Sequence, residues 1–120
     1  MHNYKSLIVW QNAMELVKEV YLTTKTFPKE EIYGLVQQIR RSAISIPSNI
    51  TEGCGRKSDK DFDNFLSIAH ASSFELETQL MIAESLSLIK NEEPQLLLSK
   101  TSLVQKKLFK LKESLKLKNN

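Results

Sequence analysis

The residues most able to bind another molecule are lysines close to the C-terminal end of the sequence. Residues 95–120 hold seven lysines against one acidic residue, a net charge of +6, whereas residues 1–94 carry −3. A dense positive field attracts nucleic-acid phosphates without reading base sequence. The alternative is a solvated face, since lysines also suit the C-terminus of a helix. We take Lys106, Lys107 and Lys110 as candidate phosphate contacts.

Two further basic pairs are candidates for the same chemistry. Arg40 and Arg41 are adjacent, so they point about 100° apart on a helix, and a guanidinium binds phosphate through two parallel hydrogen bonds. The alternative for this pair is an ion pair with another helix or subunit, for example with Glu75 or Glu77. The second pair, Arg56-Lys57, follows two glycines in a predicted connection, where solvated surface charge is the alternative.

Residues that could perform catalysis are sparse. His2 and His70 are the only histidines; neither belongs to the Glu-x-x-His pairs of helical di-iron sites, and a metal needs three or four ligands in register. Asn49, Glu52 and Glu75 could form a polar cluster, and paired carboxylates can do acid–base work. Without a histidine, a serine elbow or a glycine-rich phosphate loop, however, a hydrogen-bond network between helices is favoured. We expect no catalytic residue, no metal and no cofactor.

The composition predicts a single all-α domain. A chain of 120 residues corresponds to one domain, and the few glycines and prolines come without hairpin signals. The single cysteine, Cys54, excludes an internal disulfide. The N-terminal residues lack the apolar core of a signal peptide, and no apolar run is long enough to span a membrane. We therefore expect a cytoplasmic protein with no membrane partner.

Apolar residues recur every three or four positions in four stretches separated by short connections, which predicts an antiparallel up-down-up-down four-helix bundle. We predict helices at about residues 6–26, 30–53, 58–90 and 94–117. Pro47 lies inside the second helix, where we expect a bend rather than a break because the apolar stripe keeps its phase. Gly53 is predicted to end that helix as a left-handed cap. Ser58 is the predicted N-cap of the third, with Asp61 in the capping-box position.

Several apolar residues lie off these stripes and predict a second buried surface. The third helix places Phe74 outside its seam, and Met81, Ile82 and Phe109 point the same way. Apolar residues outside the core of a bundle indicate oligomerisation. These four residues are therefore the candidate subunit interface.

The sequence resembles a known family over about residues 4–90. The residues that carry the resemblance include Trp10-Gln11, Phe27-Pro28, Tyr33-Gly34-Leu35, Ser45-Ile46-Pro47-x-Asn49-Ile50 and Phe65-Leu66-x-Ile68-Ala69. In this order they resemble the bacterial four-helix-bundle proteins encoded within intervening sequences of 23S ribosomal RNA genes. Thr51, where the family usually has alanine, and Ala71, where it has glycine, are small departures.

The resemblance implies a cytoplasmic bundle without enzymatic activity that self-assembles, as a ring of five. It also implies a distant likeness to the accessory protein of diversity-generating retroelements, which binds nucleic acid and a reverse transcriptase. Two functions follow as hypotheses. The first is a self-assembling bundle that binds RNA, DNA or a nucleoprotein partner through its basic surfaces. The alternative is a purely structural or protein-interaction oligomer with no nucleic-acid role.

Overall fold

The computed structural model describes residues 2–90 and 93–118, which form four long α-helices. The helices are α1 (Ile8–Thr24), α2 (Gln37–Cys54), α3 (Asp59–Ser85) and α4 (Glu93–Lys118). Short 3₁₀ turns lie at Tyr4–Ser6 and Lys29–Glu31, and a π turn at Ile32–Val36 leads directly into α2. None of the described residues is in a strand. The predicted all-α class and the four helices are confirmed.

Hydrogen bonds between neighbouring helices run in antiparallel order. Trp10 Nε1, early in α1, donates to Thr51 Oγ1, late in α2, at 3.0 Å. Arg40 Nε, early in α2, donates to Thr24 Oγ1 at the end of α1, at 2.9 Å. The next two helix pairs follow the same order, with contacts of Ser42 to Gln79, Ser45 to Ser72, Gln105 to Glu77 and Lys112 to Ser67. Because α4 also packs on α1, the four helices enclose one core in a body of 48 × 23 × 20 Å.

The core consists of the apolar seams that the sequence predicts. On α3 the seam residues Phe62, Leu66, Ala69, Ser73, Leu76, Leu80 and Ala83 are all buried. The most enclosed side chains elsewhere are leucine, isoleucine and valine residues of α1, α2 and α4, whose burial is the main favourable term in folding. Ser87 continues the same spacing within the predicted helix range 58–90, but it lies beyond the end of α3 and is exposed.

The second helix passes through Pro47 without interruption, as predicted. Pro47 is buried against the core, so the helix keeps its apolar face on both sides of the missing N–H. Asn49 Nδ2 donates to the carbonyl oxygen and to Oγ of Ser45, at 2.8 and 2.9 Å. These bonds stabilise the turn around the proline. The bend itself stays a prediction.

The prediction that Gly53 is a left-handed cap is wrong. Gly53 is buried inside α2, which ends at Cys54, and no described glycine has a positive φ. The glycine is needed for close approach instead. A Cβ atom at Gly53 would lie 2.8 Å from Cδ1 of Phe62 and 2.9 Å from Cβ of Phe65. The capping prediction for α3 is confirmed, because Ser58 Oγ accepts a hydrogen bond from the backbone N–H of Asp61 at 3.1 Å.

We expect Gly53→Ala to lower the free energy of unfolding. Overpacking costs about 1–3 kcal/mol, and the better helix propensity of alanine offsets about 1 kcal/mol of it. Phe65 meets the new methyl group through its own Cβ, which cannot move away without the helix. Urea unfolding at one fixed protein concentration measures the change. The control is Gly34→Ala, where no atom lies within 4 Å; equal effects of the two substitutions would contradict the close-approach role.

Helix α3 is shorter than predicted, ending at Ser85 rather than near Lys90. The chain turns through Ser87, which has a φ of 59°. The N–H of Ser87 donates to the carbonyl of Glu84 and that of Leu88 to the carbonyl of Ala83, both at 2.9 Å. These two bonds are those of a Schellman motif, which usually places glycine where this chain has Ser87.

We expect Ser87→Gly to stabilise the fold. A residue with a Cβ atom pays about 1–2 kcal/mol in the left-handed region, so the free energy of unfolding should rise by about 1 kcal/mol. The control is Ser85→Gly, two residues earlier and within α3, which should lower stability by up to about 1 kcal/mol. Thermal and urea unfolding report both signs. A destabilising Ser87→Gly would show that the serine side chain contributes more than its backbone strain costs.

Candidate functional site

Three lysines of α4 form a basic surface without partners, which we call the α4 lysine patch: Lys106, Lys107 and Lys110. Lys106 and Lys110 are exposed, whereas Lys107 is half-buried. Within the described part of the chain, none of the three donates a hydrogen bond or forms an ion pair. Their charge is therefore directed to solvent.

The other four lysines of α4 are engaged inside the molecule. They tie α4 to α1, to α3 and to its own preceding turn. The contacts are Lys100 with Glu15 and Glu19 at 3.7 and 3.5 Å, Lys112 with Ser67 at 2.6 Å, Lys116 with Glu113 at 3.6 Å and Lys118 with Asp59 at 3.7 Å. The predicted phosphate contacts are thus the lysines of α4 that form no hydrogen bond or ion pair in the described part of the chain, whereas Lys112 is held by a neutral hydroxyl and keeps its charge.

Arg40 is held by α1 and not by an acidic residue. Its Nε donates to Thr24 Oγ1, its Nη2 donates to the carbonyl of Tyr21 at 3.4 Å, and its guanidinium lies 4.3 Å from the centre of the Tyr21 ring. Through these contacts Arg40 links the start of α2 to the end of α1. Within the described part of the chain Arg40 forms no ion pair with Glu75 or Glu77, and an ion pair with another subunit stays a prediction.

The remaining predicted basic residues lie outside α4. Arg41 is exposed and lines a shallow depression between α2 and α3 together with Glu75. Arg56 stacks its guanidinium 4.6 Å from the centre of the Phe65 ring, and Lys57 beside it is exposed. Arg41 and Arg56 are separated by most of α2, about 22 Å along the helix. Since α4 packs on α1 and α3, the structure divides the predicted basic residues among three patches.

The predicted interface residues are all exposed. On α3 the exposed fractions are 50% for Phe74, 54% for Met81 and 44% for Ile82, and on α4 the fraction is 57% for Phe109. Phe74 packs against the ring of His70 at 5.1 Å between ring centres. Phe74, Met81 and Ile82 follow helical spacing along the outer side of α3, and we call them the α3 ridge. Large apolar side chains grouped on a surface are typical of interaction sites.

Sequence reasoning missed an apolar groove between α1 and α2. One half, of about 530 Å³, is lined by residues that include Trp10, Met14 and Pro47. The other half, of about 470 Å³, is lined by residues that include Tyr21 and Tyr33. Both halves are lined by Ile44, so they adjoin, and we call them together the α1/α2 groove. Trp10 is half-buried and lines this groove.

The polar cluster predicted from Asn49, Glu52 and Glu75 forms only in part. Ser45 Oγ and Ser72 Oγ are hydrogen-bonded at 2.8 Å across α2 and α3, and Asn49 joins them through Ser45. Glu52 lines the α1/α2 groove and Glu75 the depression on the other side of α2, so the two carboxylates are not brought together. In residues 2–90 and 93–118 no three histidine, cysteine, aspartate or glutamate residues are placed to hold a metal ion.

Two groups have displaced pKa values. Burial, together with the positive charge of Lys112, lowers the pKa of His70 below its usual 6.5. Burial also raises the pKa of the Cys54 thiol, which keeps it protonated. Cys54 is 1% exposed, so its two glycine neighbours do not open it to solvent. A protonated, enclosed thiol is a poor nucleophile.

Because of His70, the free energy of unfolding should decrease as the pH is lowered through 6.5. Above 6.5 the imidazole is neutral in both states; as the pH drops through that value the unfolded chain takes up a proton first, which favours unfolding. We expect the wild type to lose more stability than His70→Gln across this window. An NMR titration should also show the pKa of His70 rising in Lys112→Gln but not in Lys116→Gln. A His70 pKa at or above 6.5 in the wild type would contradict this account.

The fold and its surfaces define an all-α four-helix bundle protein with a basic helix and exposed apolar faces. None of the helices in the described ranges is long and apolar enough to cross a membrane. Residues 5–110 match the family described as 23S rRNA-intervening sequence protein, and the chain belongs to this family.

A solved structure supports the same assignment. It is a protein of unknown function from the S23 ribosomal protein family of Bacteroides thetaiotaomicron, 27% identical to this chain. The match covers 87% of this chain and 97% of that one, with a TM-score of 0.78. No curated protein matches the chain.

Proposed function

We propose that this protein is a non-enzymatic bundle of the bacterial cytoplasm that self-assembles and binds the phosphate backbone of RNA or DNA, alone or within a nucleoprotein partner. It acts without a cofactor or metal. The family relationship motivates assembly into a ring of five. The α4 lysine patch makes the phosphate contacts, and the exposed apolar faces make the contacts between copies.

Nucleic-acid binding is supported by one observation, which is that the lysines of α4 differ in their contacts within the molecule. Three of them pair with carboxylates and Lys112 bonds the hydroxyl of Ser67, whereas Lys106, Lys107 and Lys110 form no hydrogen bond or ion pair in the described part of the chain. Because phosphate binding by lysines releases counterions from the nucleic acid, such a patch binds in a strongly salt-dependent way. Phe109 is the only aromatic residue of α4, so the contact would be to the backbone and not to stacked bases.

A second function is favoured by a different observation. The α3 ridge and the α1/α2 groove leave large apolar side chains exposed, which supports a purely structural or protein-interaction oligomer. In that case the α4 lysine patch serves solubility or subunit pairing. The two functions differ in whether nucleic acid binds at all.

We expect the triple variant Lys106→Glu/Lys107→Glu/Lys110→Glu to abolish nucleic-acid binding. Fluorescence anisotropy with a ribosomal RNA fragment and with duplex DNA, over a salt series, measures the affinity. If about three phosphates are contacted by each copy, the slope of log K against log salt should be about −2 to −3 per copy for the wild type. The triple variant should lose this dependence on salt as well as the affinity, because the contacting lysines are gone.

The matched control is Lys18→Glu/Lys25→Glu/Lys29→Glu, which makes the same change in net charge at exposed positions outside α4. It should retain most of the binding. Equal loss in the two triple variants would mean that net charge and not the α4 lysine patch governs binding. Absence of wild-type binding even at low salt would leave only the structural function.

A further inference from the structure

We propose that the α1/α2 groove of one copy receives the α3 ridge of a second copy, so that the contact between copies is heterologous. This inference rests on the self-assembly proposed above and names the two surfaces that meet. The groove and the ridge lie on different helices of one chain, and neither is covered within it. Each copy therefore offers one donor surface and one acceptor surface.

The two surfaces are alike in character, and the ridge is short enough for the groove. The groove runs along α1 from Trp10 to Tyr21, about 16 Å for the eleven steps between these residues. The α3 ridge runs from Phe74 to Ile82, about 12 Å for eight steps. Inside the groove, Met14 and Ile44 are 46% and 41% exposed, which leaves apolar side chains uncovered on both helices that form it. A helix with large apolar side chains on one side can fill such a groove.

Charge selects α3 over α4 as the helix that docks. Arg40 and Arg41 line the Tyr21 end of the groove, which makes that end positive. The α3 ridge is flanked by the exposed carboxylates Glu75 and Glu84. Phe109, the exposed aromatic residue of α4, stands instead among the lysines of the α4 lysine patch. Like charges facing each other across an interface are costly, so the Tyr21 end of the groove favours the acidic helix over the basic one.

A heterologous contact has a consequence that an isologous one lacks. Because groove and ridge are different surfaces, each copy can bind one neighbour through its groove and another through its ridge. Repetition of that contact closes into a ring or continues as a filament. A pair of copies that used the same surface on both sides would stop at two.

Complementation between two variants tests the proposal. Ile44→Asp blocks the groove and Phe74→Asp blocks the ridge, and both positions are exposed enough to accept a charge without unfolding the chain. Each variant alone should be monomeric by sedimentation velocity, at the 13.8 kDa mass of one chain. Mixed together over a concentration series, they should form a species of twice that mass and nothing larger, because one intact groove and one intact ridge remain.

The control is Leu117→Asp, which adds the same charge to an exposed leucine outside both surfaces and should assemble as the wild type does. Thermal unfolding followed by circular dichroism confirms that all variants are folded. If the wild type assembles and either single variant still assembles fully, or if the mixture stays monomeric, the heterologous contact is wrong and self-assembly stands. A monomeric wild type would overturn self-assembly and this inference together.

Discussion

The close packing of α2 against α3 is the contact on which the rest of the bundle depends. Small residues make it possible, because Gly53 brings the backbone of α2 against Phe62 and Phe65. Farther along, Ser42 and Ser45 reach Gln79 and Ser72 across the same boundary through hydrogen bonds of 2.7 and 2.8 Å. Buried hydroxyls with satisfied hydrogen bonds fix the register of two helices as well as their distance. The turn between the two helices is thereby fixed too.

The contrast with α1 explains why the two halves of the groove on the α1 side of α2, of about 530 and 470 Å³, are larger than the depression of about 250 Å³ on the α3 side. On the α1 side large residues meet α2, and Trp10 bonds Thr51 by its indole N–H while Arg40 is held at the other end of the boundary. Between these two fastening points the helices leave apolar side chains half covered. Small residues let α2 and α3 pack closely along their boundary. The large residues between α1 and α2 are bridged by hydrogen bonds near the two ends of the boundary and leave a depression that another helix can fill.

The spacing of apolar residues made the four helices predictable from the sequence. The backbone conformation at single residues near helix ends was not predictable in this way. The seam of α3 and the bounds of α4 follow from the spacing of apolar residues, because a helix buries the same face at every turn. Gly53 was misjudged because a glycine near a helix end is compatible with both a cap and a close approach, and only the neighbouring phenylalanines decide between them. The early end of α3 was missed because Ser87 adopts a conformation that sequence patterns assign to glycine. The role of Arg40 depends on its contacts with Thr24 and Tyr21 of α1, which no local sequence pattern predicts.

In the proposed assembly, the distribution of charge would let contact between copies and nucleic-acid binding reinforce each other. Helix α3 carries six acidic residues and one lysine, whereas α4 carries seven lysines and two glutamates. Within one chain they lie side by side and neutralise each other in part, yet Lys106, Lys107 and Lys110 remain unpaired. Docking of the α3 ridge into a neighbour's groove would use the acidic helix and leave the basic one outside. Each added copy would then present another lysine patch on the same assembly, and patches too weak to hold a nucleic acid singly gain affinity by acting together.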